Sequence, residues 1–571
     1  MSVSGRSEKT LDLAKRRGFF WQSYDLYGGL GGFIDYGPLG ALLKRKIEAK
    51  WIRHFVRSEG LMLIDTPLIT PKAVFDSSGH TTHFTDPVTE CLKCHRKWRA
   101  DQLLEERTGA SMESFSLAQL GGKIKEPGIA CPECSGELDE PQLFNELFVT
   151  TIGPYSDSVG FGRPETAQGI FVNFKRLNEL ARSRLPFGVA QIGKCVRNEI
   201  APRQGPIRLR ELTIMEFEFF FDPSDPKCES LDRVANRSLR IIPTKSAKQT
   251  TPETVLVRDA VESGYLQSPW AAYFMARAEI FMNELGVPDN KQFFIEKHPH
   301  ERAHYSAQTF DQVVELERWG QVEVSGHAWR TDYDLKTHMA QTGTDLRVFV
   351  PYEKTKQLKK LTIIPQKKSL TETFGEKTSM ISRLLDLASP EEVQEALNRT
   401  GEYHVSSGGE KYVVTKELVD FREVESEETG RRFLPSVIEP SFGLDRIVYT
   451  VLEYAYTEKE GRTILALPLE IAPIEVVVFP LVSKNGLPEF SHKLRNRLVE
   501  DGLVAEYDDS GTIGRRYARA DEIGVPIAVT IDYQTMTDNT VTVRDRDSWS
   551  QTRIPADNLL SYLQNFLNRA A

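Results

Sequence analysis

The sequence predicts an α+β fold that is divided among several domains. With 571 residues, the chain exceeds the roughly 250–300 residues that one hydrophobic core usually supports. Residues Leu212–Phe221 alternate and are rich in phenylalanine, which is typical of a half-buried antiparallel strand. After Gly461, short Val/Ile runs alternate with helical segments, which predicts a separate α/β domain with its own sheet.

The elements of the first half follow from periodicity and from Gly and Pro. Residues Lys9–Trp21 predict a helix that leads into the glycine-rich stretch YDLYGGLGGFIDYGPLG. A second helix is predicted at Ala41–Arg57, because its apolar side chains fall on one face. The run LMLIDTP predicts a strand that Pro67 ends. Further strands are predicted at Phe148–Ile152 and Gly188–Val196.

The later elements continue this mixture of helices and strands. Residues Trp270–Leu285 predict a helix, and Ile438–Tyr454 predict a strand, a turn and a helix. The elements predicted for the C-terminal domain are, in chain order, Ile474–Phe479, Pro488–Glu500, Leu503–Tyr507, Thr512–Ile523 and Pro526–Ile531.

Composition and charge narrow the function classes. Apolar residues make up 40% and charged residues 27% of the chain, as in an ordinary globular protein. No apolar run approaches the ~20 residues that span a bilayer, and Met1–Arg17 lacks the apolar core of a signal peptide. We therefore expect a cytoplasmic protein with no membrane partner. The net charge of −9 argues against a protein that coats nucleic acid by bulk electrostatic attraction.

Four of the six cysteines form two tight pairs, Cys91/Cys94 and Cys131/Cys134. In a long chain without a secretion signal, such pairs indicate metal binding rather than disulfides. Two Cys-x-x-Cys motifs are typical of a zinc ribbon, although the gap between them is longer than in compact zinc fingers. We predict a structural Zn²⁺ held by the four thiolates. Four reduced thiols without metal are the alternative.

Two segments carry residues that suit phosphate chemistry. Gly193–Phe220 predicts two strands around a loop, and its arginines are Arg197, Arg203, Arg208 and Arg210. Guanidinium groups match phosphate oxygens, although a surface hairpin with ion pairs to nearby glutamates is the alternative. The second segment, Ile438–Tyr449, predicts a helix with Arg446 in its first turn. Because the helix dipole disfavours a cation there, Arg446 is expected to bind a ligand.

These segments resemble the signature motifs of the class II aminoacyl-tRNA synthetases. R-N-E (Arg197–Glu199) with the arginine loop resembles motif 2, and G-L-D-R (Gly443–Arg446) resembles motif 3. The helix Ala41–Arg57 and the strand after it resemble motif 1, which forms the dimer interface in that class. Three further segments together resemble the archaeal and eukaryotic glycyl-tRNA synthetases: RPETAQGIFVNF, YDLYGGLGGFIDYGPLG and EPSFGLDR. This likeness runs over nearly the whole chain.

The resemblance implies a fold and a reaction. The fold is a catalytic domain on an antiparallel sheet with flanking helices, in a homodimer, with a C-terminal α/β anticodon-binding domain. The reaction is the ligation of glycine to tRNA(Gly) at the expense of ATP. Because the attacking group is already a carboxylate, catalysis needs positioning and charge neutralisation on phosphorus rather than a general base.

The resemblance also implies roles for the motif residues. Three are catalytic candidates: Arg197 at the α-phosphate of ATP, Glu199 at the adenine and Arg446 on the other side of the nucleotide. Arg208 is expected to reach the terminal phosphates. Glu323 in VEVSG is expected to contact ATP and its Mg²⁺. The full predicted ATP site comprises Arg197, Asn198, Glu199, Ile207, Arg208, Leu209, Arg210, Glu211, Leu212, Glu323, Val324, Gly443, Leu444, Asp445 and Arg446.

Glycine offers an ammonium, a carboxylate and no side chain, so a site must grip its charges and exclude bulk. By resemblance, Glu165, Glu216 and Glu439 approach the ammonium, although they can also pair with arginines of motif 2. A packed wall excludes larger amino acids, so no editing domain is expected. The predicted glycine site comprises Arg99, Glu165, Leu212, Thr213, Ile214, Met215, Glu216, Glu439, Pro440, Ser441, Phe442 and Gly443.

One position departs from the family pattern. Where the family usually has Phe stacked on adenine, the returning strand of motif 2 reads RLREL and has Leu212. Leucine packs against a base but has no aromatic face, so we expect somewhat weaker ATP binding than with Phe.

Other interpretations fit the motifs less well. Class II synthetases for threonine, proline, serine or histidine share motifs 2 and 3, but RPETAQG and EPSFGLDR favour the glycine enzyme. A non-catalytic nucleic-acid-binding paralogue, like the accessory subunit of mitochondrial DNA polymerase, would lose the ATP-binding arginines. A tRNA-binding scaffold would lose them too, yet Arg197, Arg208 and Arg446 are all present.

The domain boundaries that we predict divide the catalytic core into four parts. These core parts are 1–90, 141–222, 269–345 and 431–460. The segments between them are a zinc-ribbon-like module at 91–140, an insertion at 223–268, and a Lys/Glu-rich insertion at 346–430 with possible tRNA contacts. Residues 461–571 form the predicted anticodon-binding domain.

Overall fold

The computed structural model describes residues 5–110, 112, 115–154, 157–202, 204–244, 251–299, 302–407 and 410–568. Its largest sheet has nine strands. In chain order these are β1 (Met62–Leu63), β2 (Phe187–Val196), β3 (Glu211–Phe221), β4 (Ser238–Ile242), β5 (Glu253–Leu256), β6 (Gln292–Glu296), β7 (Gln308–Leu316), β8 (Gly320–Thr331) and β9 (Ser436–Gly443). The order across the sheet is β5-β4-β6-β7-β8-β9-β3-β2-β1.

The pairing within this sheet confirms the predicted antiparallel architecture. Strands β6, β7, β8, β9, β3 and β2 form one continuous antiparallel run. The pairs β1–β2 and β4–β6 are parallel and lie towards the two edges. Strand β3 follows the expected alternation, because Met215, Phe217 and Phe219 enter the main core while Glu216 faces the other way.

Four helices pack against or beside this sheet. They are α1 (Arg6–Arg16), α2 (Pro38–Trp51, continued as a π-helix at Ile52–Arg57), α3 (Pro269–Glu284) and α4 (Leu444–Ala455). Trp51 and Phe55 of the α2 segment contact Phe217 of β3 and Phe442 of β9, so aromatic packing fixes the helix on the sheet. At Gly40, a Cβ atom would lie 1.7 Å from the Phe19 carbonyl oxygen, so glycine permits this close approach.

Two predicted N-terminal elements are shorter in the structure. The first helix ends at Arg16 rather than Trp21, because Gly18 adopts φ +75° and the chain turns into a short strand, Phe20–Gln22. Of the run LMLIDTP, only Met62–Leu63 forms strand, because only these residues pair with β2.

The segments between the core parts differ in how they are built. The first, 91–140, contributes a strand, Lys97–Arg99, and two helices, Ala100–Thr108 and Leu117–Ile124. The two other strands of its sheet, Thr85–Glu90 and Gln142–Asn145, lie just outside these predicted bounds. Residues 223–268 supply β4, β5 and a helix, Val257–Glu262, so this predicted insertion extends the edge of the main sheet. A second three-stranded sheet beside the core consists of Ile69–Pro71, Phe148–Thr151 and Val159–Gly162.

The region 346–430 has a small core of its own. A long antiparallel ribbon of Val348–Pro365 and Val419–Phe433 leads out to it. Three helices and a hairpin then pack around buried residues such as Leu370 and Ile381. These elements are Lys367–Phe374, Thr378–Leu387, Pro390–Thr400, Glu402–Ser407 and Glu410–Thr415. The predicted domain boundaries stay predictions.

The C-terminal part has a separate five-stranded sheet and a separate core. Its elements are β10 (Val476–Pro480), α5 (Leu487–Glu500), β11 (Ala505–Tyr507), α6 (Ile513–Glu522), β12 (Ile527–Ile531), β13 (Thr540–Asp545), β14 (Gln551–Pro555) and α7 (Leu559–Asn568). Strands β13 and β14 and helix α7 were not predicted. Among the described residues, no helix is both long enough and apolar enough to cross a membrane.

Candidate active site

A cleft opens on the main sheet where the β2–β3 hairpin, β8 and the start of α4 meet. It encloses about 630 Å³, including its open mouth. The predicted ATP-site residues that line it are Arg197, Glu199, Ile207, Arg208, Leu209, Leu212, Glu323, Val324, Gly443, Asp445 and Arg446. The structure therefore brings motif 2 and motif 3 together around one cavity. Arg203 lies outside the described residues.

Arg197 of motif 2 and Arg446 of motif 3 are held mainly by backbone carbonyl groups. Arg446 donates from Nε to the Ile207 carbonyl (3.0 Å) and from Nη1 to the carbonyl and Oε2 of Glu323 (2.9 and 3.0 Å). Arg197 donates from Nε to the Pro164 carbonyl (3.1 Å). Burial opposes its charge, but nearby carboxylates, foremost Glu199, raise the pKa of Arg197 above its ordinary value. Arg197 therefore stays cationic, and the guanidinium groups of both arginines keep donors available to a ligand.

Four predicted ATP-site residues do not line the cleft: Asn198, Arg210, Glu211 and Leu444. Arg210 donates to the carbonyl of Gly31 (2.9 Å) and twice to the carbonyl of Glu199 (2.9 and 3.1 Å), so it braces the glycine-rich stretch. Glu211 pairs with Lys194 across the hairpin, with 2.9 Å between carboxylate and ammonium. These contacts hold the β2–β3 hairpin and the glycine-rich stretch in place.

Asp445 connects three elements beneath the cleft. Its Oδ1 accepts hydrogen bonds from the Tyr36 hydroxyl (2.6 Å) and the Lys44 ammonium (3.2 Å). Its Oδ2 accepts from the backbone N–H of Thr213 (2.6 Å). Because these partners lie in the glycine-rich stretch, in α2 and in β3, the Asp of G-L-D-R positions motifs 1, 2 and 3 relative to one another.

Two acids on the paired strands β7 and β8, Asp311 and the cleft-lining Glu323, form a candidate cation site. Burial and the neighbouring Glu323 raise the pKa of Asp311 to about 7, even though Lys297 lies 3.0 Å from the Asp311 carboxylate. Desolvation opposes ionisation of Glu323 as well, but Arg446 and Lys297 lower its pKa. Two carboxylates that repel each other are a ready site for a hard divalent cation. Asp311 could not be predicted from the sequence, because a single Asp in a strand carries no functional signal.

The predicted glycine-binding glutamates do converge, and they do so in a buried pocket. Glu216 accepts hydrogen bonds from the hydroxyl and N–H of Thr166, and from the Ser441 hydroxyl at 2.9 Å. Burial, opposed by Arg330 but reinforced by Glu165 and Glu216, raises the pKa of Glu439 to about 8. The pocket thus holds more carboxyl groups than its own cations neutralise.

Arg330 is the residue around which these carboxylates are arranged, and sequence reasoning missed it. Its guanidinium is fully buried. It donates to both Asp334 oxygens (2.8 and 2.9 Å), to Glu439 Oε2 (2.9 Å) and to Glu165 Oε1 (3.4 Å). It also stacks on the Tyr305 ring, 3.7 Å from the centroid. The one available signal was the spacing R-x-x-x-D, which the sequence analysis did not use.

The remaining predicted glycine-site residues lie at different depths. Thr213, Ile214, Ser441 and Gly443 line the ATP cleft and so stand at the junction of the two sites. Met215 and Phe442 enter the apolar core on the opposite face of the sheet. Pro440 is buried in β9, opposite His327 of β8.

Arg99 lies in a larger cavity that adjoins the glycine pocket. This cavity encloses about 1790 Å³ and is also lined by Glu165 and Arg197. Arg99 is held by two carboxylates: Asp86, at 2.7 Å, and Asp101, which it contacts with two nitrogens. Desolvation opposes its charge, but these partners raise the pKa of Arg99 above its ordinary value. The charge of Arg99 is therefore balanced by Asp86 and Asp101.

The four paired cysteines meet in space. Their Sγ atoms all lie within 4.8 Å of one another, and all four are free thiols. Burial works against a thiolate at Cys91, but the backbone N–H groups of Lys93 and Cys94 lower its pKa to about 6. Two N–H groups, of Glu133 and Cys134, act on Cys131 in the same way. These N–H groups favour the thiolate form that a metal needs at Cys91 and Cys131. At Cys94 the backbone N–H of Arg96 acts in the same direction, but burial and the neighbouring thiols raise the pKa.

The antiparallel sheet, with arginines of motifs 2 and 3 around one cleft, defines a class II aminoacyl-tRNA synthetase. A solved structure described as the RNA binding domain of threonyl-tRNA synthetase from Cryptosporidium parvum Iowa II shares the fold. Its TM-score is 0.52 at 14% identity, with 97% of each chain covered. Residues 475–566 match the anticodon binding domain family.

Sequence comparison identifies the family within this class. The chain is 48% identical over 569 residues to the glycine–tRNA ligase of Aeropyrum pernix, which covers 98% of this chain and 96% of the relative. It is 45% identical over 560 residues to the glycine–tRNA ligase of Thermococcus gammatolerans, with 97% of each covered. The chain belongs to the glycine–tRNA ligase family, which confirms the resemblance drawn from its motifs.

Proposed function

We propose that this chain activates glycine with ATP to glycyl-adenylate and then transfers the glycyl group to the 3′ end of tRNA(Gly). The observation that carries the proposal is the junction of two sites on one sheet. An arginine-lined cleft suited to a nucleotide is also lined by Ser441, whose hydroxyl bonds Glu216 in a buried group of carboxylates suited to a small ammonium. Membership of the glycine–tRNA ligase family supports the same assignment.

In the first step, an oxygen of the glycine carboxylate attacks the α-phosphorus of ATP, and pyrophosphate leaves. We assign Arg197 to the α-phosphate, where its unoccupied donors offset the charge that develops on the equatorial oxygens. Arg446 fixes the opposite side of the nucleotide. Asp311 and Glu323 are the residues that would hold Mg²⁺, which neutralises charge on the phosphate oxygens when bound.

Glycine selectivity follows from charge and from volume. The ammonium is assigned to Glu165, Glu216 and Glu439, whose mutual repulsion it relieves. The Ser441 hydroxyl already bonds Glu216, so the wall beside the Cα of glycine is packed before the substrate arrives. Discrimination by favourable contacts is limited to roughly 1–3 kcal/mol per methylene, but a steric clash with a rigid wall exceeds this. A smaller amino acid does not exist, so editing is not required.

In the second step, a hydroxyl of the terminal ribose attacks the glycyl carbonyl carbon, and AMP leaves. The cavity that contains Arg99 adjoins Arg197 and Glu165, so it gives the 3′ end of the tRNA a route to that carbonyl. The domain at 475–566 would bind the anticodon. This reaction belongs to the cytoplasm, where we place the protein.

A homodimer and a structural zinc complete the proposal. The resemblance assigns the dimer interface to motif 1, and large apolar side chains are exposed around α2 and β1, among them Leu26, Tyr27, Leu42, Leu63 and Leu68. Their burial against a second copy would remove this apolar surface from water. The four clustered thiols fit tetrahedral Zn²⁺, which would hold together the turns that carry them.

The direct test is pyrophosphate exchange into ATP with each of the twenty amino acids in turn. We expect exchange with glycine and background with the others. Arg197→Ala should reduce glycine-dependent exchange by about 10²–10³, the loss typical for a donor aimed at developing charge. Lys194→Ala, on the same strand but paired at the surface with Glu211, should leave it nearly unchanged. Exchange with a different amino acid and none with glycine would contradict the proposal.

A further inference from the structure

Arg208, the arginine assigned to the terminal phosphates of ATP, is held from both sides. On the motif 2 side, its Nε donates to the carboxylate of Glu199. On the other side, its Nη1 donates to the side-chain carbonyl of Gln102 (2.9 Å), and its Nη2 lies 3.8 Å from Asp86 Oδ2. Gln102 belongs to the inserted segment with the four cysteines, and Asp86 lies on the strand Thr85–Glu90 that leads into it. Every nitrogen of the fork therefore has a neighbour, and two of the three neighbours lie outside motif 2.

Gln102 and Asp86 constrain the fork in different ways. Gln102 is neutral, so it fixes the direction of Nη1 without cancelling the charge of Arg208. Asp86 is shared with Arg99, which lies closer to it at 2.7 Å, so its charge is largely satisfied elsewhere. The cation of Arg208 thus remains available, while its orientation is set by a hydrogen bond from outside the motif. A guanidinium has five N–H donors, so these contacts leave donors for phosphate oxygens.

The four cysteines determine where Gln102 stands. Strand Thr85–Glu90 pairs with strand Lys97–Arg99, with Glu90 opposite Lys97. The turn between these strands is the Cys91–Cys94 knuckle, and helix Ala100–Thr108 follows directly after the second strand. Asp86 lies on the first strand and Gln102 in the first turn of the helix. The separation of Asp86 and Gln102 is therefore set by a turn whose ends are fixed by the cysteine cluster.

We propose that Gln102 is a positioning residue for ATP binding, through which the four-cysteine segment orients Arg208 towards the terminal phosphates. The proposal rests on the assignment of Arg208 to those phosphates under the proposed function. Arginine has many rotamers, so an Arg208 side chain that is already oriented loses less conformational entropy when ATP binds. The consequence is specific: loss of Gln102 weakens only the interactions with the β- and γ-phosphates, and leaves the adenylate and glycine sites intact.

The test compares ATP with AMP, which lacks the phosphates that Arg208 would reach. The variant is Gln102→Met, which keeps the length of the side chain but removes the acceptor. We expect its ATP dissociation constant, measured by calorimetry on the full-length protein, to rise roughly fivefold to tenfold, which lies within the range for one typical intramolecular hydrogen bond. The AMP dissociation constant and the KM for glycine should not change. Glu106→Met, exposed on the same helix, is the matched control and should bind both nucleotides like the unaltered protein.

Arg208→Ala provides the benchmark that separates this inference from the proposed function. If Arg208→Ala weakens ATP but not AMP while Gln102→Met changes neither, the positioning role of Gln102 is refuted and the role of Arg208 stands. If Arg208→Ala leaves ATP binding unchanged, both assignments are refuted. Equal weakening of ATP and AMP in Gln102→Met would show general damage to the cleft and also overturns the inference. In the double variant, Gln102→Met should add nothing to Arg208→Ala, because its effect acts through that side chain.

Discussion

The ATP cleft and the glycine pocket share β3, β8 and β9, but they are built on opposite physical principles. In the cleft, Arg446 and its partner Glu323 are both substantially exposed, and much of the hydrogen bonding goes to backbone carbonyls. In the pocket, Arg330 is fully buried and bonds carboxylates on three elements. One site presents cationic side chains directly to a ligand, whereas the other arranges its carboxylates around a buried cation.

This difference matches the ligands that we assign to the two sites. A triphosphate brings several negative charges, so cationic side chains with free donors suffice and a rigid cage is unnecessary. Glycine brings a single ammonium and no side chain, so selectivity depends on a pocket whose shape cannot relax. A buried ion network provides that rigidity, although its net contribution to stability is small or negative when its desolvation is counted.

The sharpest way to break this comparison is to remove one arginine from each site. Arg330→Met leaves Asp334, Glu165 and Glu439 buried without their cation, so we expect the free energy of unfolding to fall by roughly 3–5 kcal/mol. Arg446→Met removes an exposed ion pair, so we expect a loss of less than about 1 kcal/mol. Denaturant unfolding measures both losses. The two variants should differ less in activity than in stability, because both should lose glycine-dependent pyrophosphate exchange.

Two results would contradict the distinction between the sites. Equal destabilisation by Arg330→Met and Arg446→Met would mean that the buried network is not a structural element. A stable Arg330→Met protein with normal affinity for glycine would mean that the carboxylates find their positions without Arg330.

The proton balance of the pocket offers a second test of the same idea. Burial raises the pKa of Glu439 to about 8, so this carboxyl is mostly protonated at pH 7 in the free protein. A bound ammonium stabilises the carboxylate and lowers that pKa, so glycine binding at pH 7 should release up to about one proton. The release should shrink above about pH 9, where Glu439 is already ionised before glycine binds. Calorimetry in buffers of different ionisation enthalpy measures it.

Glu439→Gln is the matched variant, because its amide keeps the shape of the protonated carboxyl and cannot ionise. Its proton release should be much smaller than that of the unaltered protein. If the unaltered protein binds glycine at pH 7 without releasing protons, the raised pKa of Glu439 plays no part in glycine binding.

The same contrast explains which residues could be predicted from sequence. The ATP site could be predicted from sequence, because its arginines occur in unusual local contexts. Arg197 lies beside a loop of arginines, and Arg446 lies in the first turn of a helix, where the dipole disfavours a cation. Arg330 and Asp334 were not found, since a buried ion pair leaves no composition signal in a strand and the helix after it. Their importance follows from strand register, which places Ala328 opposite Glu439, and register is a tertiary property.

The limits of fold prediction were of the same kind. Strand β3 and helix α3 were predicted to within a residue or two, because period-two and period-3.6 patterns are local. The region 223–268 was predicted as an insertion, because its local sequence does not show that it belongs to the main sheet. Its strands β4 and β5 join that sheet through the pairing of β4 with β6, which is a long-range contact. The first helix was predicted too long, since nothing in its apolar pattern reveals that Gly18 adopts a positive φ.

The smallest predicted effect concerns the wall of the ATP cleft. Leu212 lines the cleft opposite Cys195 in the β2–β3 pairing. The resemblance to the family places an aromatic ring here, stacked on adenine. Stacking is worth about 0.5–1.5 kcal/mol beyond area burial, so Leu212→Phe should tighten ATP binding about threefold to tenfold. Leu212→Met fills similar volume without a ring and should leave the affinity unchanged. Because an exposed, ligand-ready cleft can accept a larger side chain, a loss of ATP affinity in Leu212→Phe would show that its wall is as rigid as the glycine pocket.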